Sequence, residues 1–139
     1  MEIKTQILRH KTKGAGDMVD ITADIRKALG NASLQEGLIS VFVVGSTASI
    51  TSFEYEPGMI SDMRDLYERI APSKKHYLHN ETWNDANGFS HVRAALQGAG
   101  MVVPFQEGNM LLSTWQQVVL TEFDTRPRDR EIILTFIGE

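Results

Sequence analysis

The run GLISVFVVGS, residues 37 to 46, constrains this chain more than any other stretch. It is apolar and β-branched almost without interruption, with a glycine near each end. Such a run predicts a strand buried on both faces, and so a fold with covering layers on either side. EIILTFIGE, at the end of the chain, predicts a second strong strand. In EIKTQILRH, Ile3, Thr5 and Ile7 alternate with Glu2, Lys4, Gln6 and Leu8. That alternation predicts a first strand that buries the isoleucine face.

Helices interrupt the strands. MVDITADIRKALGNA reads as a short strand entering a helix, with Thr22 as N-cap and Gly30-Asn31 as the stop. Ile25, Ala28 and Leu29 line one side of it. GSTASITSFEYE continues as an extended segment. EPGMISDMRDLYERIAP predicts a helix between Pro57 and Pro72, with Met59, Met63, Leu66, Tyr67 and Ile70 on one side. A polar loop spans 73–89. SHVRAALQG follows as a short helix with Ser90 at its N-cap and Gly98 at its end. Strands and turns complete the chain, giving about seven to nine strands and three helices without regular βα alternation. The expected class is α+β with mainly antiparallel sheets.

With 139 residues, 42% of them hydrophobic, the expectation is one domain, 1–139, with an ordinary core. The chain has no cysteine, which excludes a disulfide framework, a thiolate metal site and a cysteine nucleophile. A net charge of −4 argues against nucleic acid as a partner. MEIKTQILRH lacks the apolar core of a signal peptide, and no run nears the roughly 18 apolar residues of a membrane span. The expected setting is cytoplasmic, without a membrane partner.

Chemistry concentrates in HYLHNETWNDANGFSHVR, residues 76 to 93, which holds three of the four histidines. His79, Asp85 and His91 are spaced H-x5-D-x5-H. Two imidazoles and a carboxylate suit a divalent ion such as Zn2+ or Mg2+, or proton transfer, and Asn87-Gly88 gives a turn that brings them together. The plain alternative is a solvated loop with an incidental histidine pair. In GSTAS, Ser46, Thr47 and Ser49 suit an anion contact, although no P-loop lysine follows and Gly-Ser-Thr also makes ordinary turns. Glu54 and Glu56 share a strand face and could act as paired carboxylates, unless Glu56 flanks the helix that follows. Downstream, Trp115 and Gln116 could line a pocket and Arg126, Arg128 and Arg130 could bind phosphate. The plain readings are a core tryptophan and a solvated hairpin.

Taken in order, GSTASI, EYEPG, the HN–W–D–NG–SH–RA–L–G pattern of 79–98, VPF with its downstream TWQQVVL, FD and PR-R, and a final GE resemble the YjbQ-like proteins, described as secondary thiamine-phosphate synthases. The resemblance covers nearly the whole chain. It implies a compact α+β β-sandwich that assembles as a homotrimer, with a pocket close to a subunit boundary. It also implies condensation of hydroxymethylpyrimidine diphosphate with hydroxyethylthiazole phosphate, releasing pyrophosphate, as a weak activity without an organic cofactor. The implied site comprises His79, Asp85, His91 and Glu54 as catalytic groups, the first three also as ligands of a divalent metal. Ser46, Thr47, Ser49, Asn87, Ser90, Trp115, Gln116 and Arg130 would contact the small phosphorylated heterocycle. One departure stands out: many bacterial members carry a histidine where this chain has Gly45. Two other readings of the same residues are a metal-dependent hydrolase of another small substrate, and a non-catalytic trimer that binds a phosphorylated metabolite or a metal.

Overall fold

The run at 37–46 does form a strand, but the chain itself covers only one of its faces. A computed structural model describes residues 1–139. The elements follow the order β1 (Glu2–Lys11), β2 (Met18–Asp20), α1 (Thr22–Ala32), β3 (Glu36–Val44), β4 (Ala48–Phe53), α2 (Pro57–Ile70), α3 (Leu78–Trp83), α4 (Gly88–Gln97), β5 (Gly100–Gln106), β6 (Asn109–Met110), β7 (Gln117–Glu122) and β8 (Asp129–Gly138). Five strands form one sheet in the order β1-β8-β3-β5-β6, and three form a second in the order β2-β7-β4. Every pairing is antiparallel. The class is α+β, as expected, with four helices rather than three. The extra one, α3, lies in the segment expected to be loop.

Ile39, Val41 and Val43 of β3 lie beside Ile132, Leu134 and Phe136 of β8, all buried. They pack against Ile50, Val118 and Leu120 of the second sheet and Ile25, Ala28 and Leu29 of α1. Each such side chain contributes roughly 1.5–3 kcal/mol on burial. A second cluster, Met18, Tyr67, Ala94, Val119 and Phe123, fastens α2 and α4 to the three-stranded sheet. There the Tyr67 and Phe123 rings meet edge to face at 4.8 Å.

The other face of the large sheet is uncovered. Ile3, Ile137 and Leu38 stand side by side, as do Ile7, Ile133 and Phe42, with Thr5, Thr135 and Ser40 between these rows. Ile3 is 71% exposed. The expected burial of Ile3, Thr5 and Ile7 is therefore reversed. It is the opposite face of β1 that packs inward, because Lys4 and Gln6 lay their stems along α1 and donate to the Ala32 and Ala28 carbonyls. In α2, Tyr67 alone is fully buried, while Leu66 and Ile70 of the expected apolar side are exposed. Helix α1 runs past Gly30-Asn31 to Ala32 and ends on Ser33 in a left-handed conformation. Thr22 is its first residue rather than its cap, and its hydroxyl accepts from Val118 N–H. No helix is long and apolar enough to cross a membrane.

Candidate active site

Two helices and the start of β4 build the site. Gly88 opens α4 directly against α3: its N–H donates to Asn80 Oδ1, and a Cβ there would lie 2.4 Å from Tyr77 Cβ. This close approach sets His79 of α3 face to face with His91 of α4, ring centroids 4.2 Å apart and planes tilted by 35°. Asp85 Oδ1 lies 3.5 Å from His79 Nδ1, a buried nitrogen with no hydrogen-bond partner. The Asn87 amide stands between two carboxylates. It lies 3.5 Å from Asp124 Oδ1, and turned over it donates to both Asp85 oxygens at 3.0 and 3.2 Å.

Burial holds His91 below the ordinary imidazole value. The neighbouring His79 acts in the same direction, while Asp124 and Asp85 oppose it. His91 is therefore neutral at pH 7, a proton acceptor beside a second imidazole. Its ring opens on a groove of about 380 Å3 lined by Gly45, Ser46 and the small residues Ala48, Ala94, Ala95, Gly98 and Ala99.

Beneath the histidines lies a buried ionic network of which the sequence reading singled out only Thr47, Arg128 and Arg130, the two arginines as phosphate ligands rather than as partners of Glu122 and Asp124. Burial works against the Asp124 carboxylate, but Arg128, the Thr125 N–H and the Thr47 hydroxyl outweigh it and hold the group at about 2. Glu122, fully buried, accepts from Thr12 Oγ1 at 2.8 Å, Arg130 Nε at 2.7 Å and Asp124 N–H at 3.0 Å. Arg130 also donates to Thr47 Oγ1 at 2.7 Å. A signal for this network exists in TEFDTRPRDR: two acids leave one strand and two arginines return on the next.

The structure thus brings together His79, Asp85, Asn87, His91, Ser46 and Thr47, and separates the rest. Arg130 gives Nε and Nη2 to Glu122 and Thr47 and its charge is paired with the buried Glu122, which leaves only Nη1, beside Gly45, without a partner. Ser49 is buried and accepts from Gln97. Ser90 sits inside α4, not at its cap, with a buried hydroxyl that has no partner. Glu56 caps α2, accepting from Gly58 and Met59 N–H, as its plain reading holds. Glu54, Trp115 and Gln116 lie at the far end of β4 and β7, roughly 17–20 Å along the strand from the histidines. There Gln116 donates to Ser52, and Trp115 is 70% exposed rather than core. Trp83, one helical turn beyond His79 on α3, is 73% exposed.

The three suggested metal ligands, His79, Asp85 and His91, do not converge. His79 and His91 face each other ring to ring, and no three His, Asp or Glu side chains of the chain point at a common centre. As they stand, they do not form a three-ligand metal site.

Comparison with known proteins places this geometry. The chain is 34% identical over 139 residues to a UPF0047 protein of Methanothermobacter thermautotrophicus, covering all of this chain and 95% of that one. It is 32% identical over 124 residues to one from Archaeoglobus fulgidus, covering 89% and 94%. A crystal structure of a YbjQ-like protein of unknown function from Sulfolobus solfataricus P2 superposes with a TM-score of 0.89 at 28% identity, over 99% of this chain and all of that one. A hypothetical protein from Aeropyrum pernix K1 gives 0.90 at 26% identity, over 98% and 99%. The family model described as UPF0047 protein YjbQ-like matches residues 6–139, and the chain belongs to that family.

Proposed function

We propose that the chain is an acid–base enzyme for a small heterocyclic phosphorylated substrate, and that its reaction is the thiamine-phosphate-forming condensation the sequence resemblance implies. One observation carries the acid–base part: a neutral His91 stacked on His79, with Asp85 beside it and a groove of substrate size in front. Two imidazoles this close share one proton more readily than they hold two, because like charges repel. Such a pair can deliver a proton and take it back near neutral pH.

In the condensation, the bond from the pyrimidine methylene carbon to its diphosphate oxygen breaks. The thiazole nitrogen forms the new bond to that carbon, and pyrophosphate leaves. The departing oxygen gains charge, and the histidine pair supplies its proton or hydrogen bond. Ser46, which lines the same groove, would orient the substrate, and the exposed Trp83 ring would offer a face for a heteroaromatic ring. The uncovered sheet face supports the homotrimer of the same reading. Its rows end at Val44, beside Gly45 and the groove, so copies packed on it would border the site.

The test is pyrophosphate release from the two substrates by purified protein and by His91→Ala. Turnover that the variant loses supports the reading. Turnover equal in both would remove the histidine pair from the mechanism. Saturable binding without turnover in the unaltered protein would assign the groove to a binding module instead.

A further inference from the structure

The His91 groove offers phosphate no uncommitted cation, yet the chain has free cations nearby. They stand on the opposite side of α4. His91 and Arg93 are two residues apart on one helix, and their side chains leave it about 200° apart. His91 faces the small-residue groove, and Arg93 faces another cavity, of about 550 Å3. This cavity lies between α4, α2 and the turn after β1.

We propose that this cavity is a second ligand site, for a small phosphate monoester. Its lining groups differ in how much hydrogen-bonding capacity they retain. The cavity wall carries three cations, Lys13, Arg64 and Arg93, and two carboxylates, Asp17 and Glu68. Both carboxylates already accept hydrogen bonds, Asp17 on one oxygen and Glu68 on both. Asp17 accepts from Lys13 N–H at 2.9 Å. Glu68 accepts from both the Ser73 N–H and hydroxyl, and from Arg93 at 2.8 Å. Those bonds, the Ser73 N–H first, hold the Glu68 carboxyl below its usual range.

The cations are not occupied in the same way. Lys13 forms no ion pair. Arg64 uses only Nε, on the Gly16 carbonyl at 3.0 Å, which leaves its terminal nitrogens free. Arg93, 6% exposed, spends Nε on the Ala71 carbonyl and Nη2 on Glu68, and retains Nη1. The cavity therefore has donors to spare and an excess of one positive charge, and among its carboxylate oxygens only Asp17 Oδ1 takes no hydrogen bond. A dianionic phosphate fits that balance, since guanidinium groups match its oxygens in geometry as well as charge. The Phe89 ring, with the Arg93 guanidinium stacked 4.8 Å from its centre, gives the ester's organic part an apolar wall.

The test is titration of 15N-labelled protein with glycerol 3-phosphate in phosphate-free, low-salt buffer, read by amide shifts. The expected result is saturable shifts at Gly14, Gly16 and Arg93, with affinity that falls as salt is added. Arg64→Gln and Lys13→Met should each weaken binding about tenfold or more, as loss of a charge-assisted contact does. Both side chains are exposed, so both variants should fold, which their unperturbed amide spectra would verify. His91→Ala should leave the affinity unchanged. Shifts confined to Ser46–Ala48 and His91, or binding indifferent to both cation variants, would overturn the proposal. Neither readout depends on turnover, so it fails or stands apart from the assigned reaction.

Discussion

Replacing Arg130 with methionine separates a structural role from a ligand role. The guanidinium gives two hydrogen bonds to Glu122 and one to Thr47, and only 6% of the residue is exposed. Methionine fills similar volume but leaves the fully buried Glu122 carboxylate with two donors, Thr12 Oγ1 and the Asp124 N–H. Stranding a buried charge in this way costs about 3–5 kcal/mol. The loss should appear in urea or guanidinium unfolding as a lowered midpoint at unchanged slope, at fixed protein concentration. Adding Glu122→Gln to Arg130→Met removes the stranded charge and should recover a large part of the loss. A stability change under about 1 kcal/mol for the single variant would refute the reasoning, since it would mean that Glu122 does not depend on Arg130. An accompanying loss of substrate affinity would then restore Arg130 as a phosphate ligand.

Further outcomes follow from the same geometry. Asp124 is held at about 2 against an ordinary value of 3.8, so its folded form binds its proton at lower pH than the unfolded chain does. It contributes about 2.5 kcal/mol of stability above pH ~4, lost as pH falls toward 2, and Asp124→Asn should flatten this limb of a stability–pH profile. His91 has the same sign: its lowered value makes the native state harder to protonate, so it costs stability as pH falls below about 6.5. The acid limb of kcat/KM should likewise lie below about 6.5. Gly88→Ala places a methyl group against Tyr77 and should separate α3 from α4, lowering turnover more than a stability loss of about 1–3 kcal/mol explains. Phe42→Asp on the uncovered sheet face should leave the monomer folded and abolish self-association in sedimentation experiments. A variant that still assembles would place the interface elsewhere.

Period-2 patterning located most strands, but burial of their faces was read wrongly where the outer sheet face is itself apolar. Ile3 and Ile7 look like core, while Lys4 and Gln6 look like surface. The true inward face uses long polar side chains that reach α1 carbonyls, a device that alternation alone does not reveal. The same outer face made 37–46 look buried on both sides. His79, Asp85, Asn87 and His91 were legible as a group because they crowd into one polar stretch. Asp124 was not, since Thr47 and the histidines it supports come from distant parts of the chain and only Arg128, four residues on, is local. Helix α3 escaped because it is a single short turn-and-a-half with no buried residue to set a period. At position 45, a Cβ would lie 2.6 Å from Arg130 Nη1, on a backbone at φ 145°. Glycine therefore fits this chain, where the resemblance leads one to expect histidine.

In the proposed reaction His79 and His91 together move a proton for a phosphorylated heterocycle. The most direct measurement is pyrophosphate release from hydroxymethylpyrimidine diphosphate and hydroxyethylthiazole phosphate, at pH 7.5, by the wild type, His79→Ala and His91→Ala. The account predicts measurable turnover in the wild type and a loss of about 100-fold or more in each variant, with folding intact by circular dichroism. Wild-type rates in both variants would contradict it.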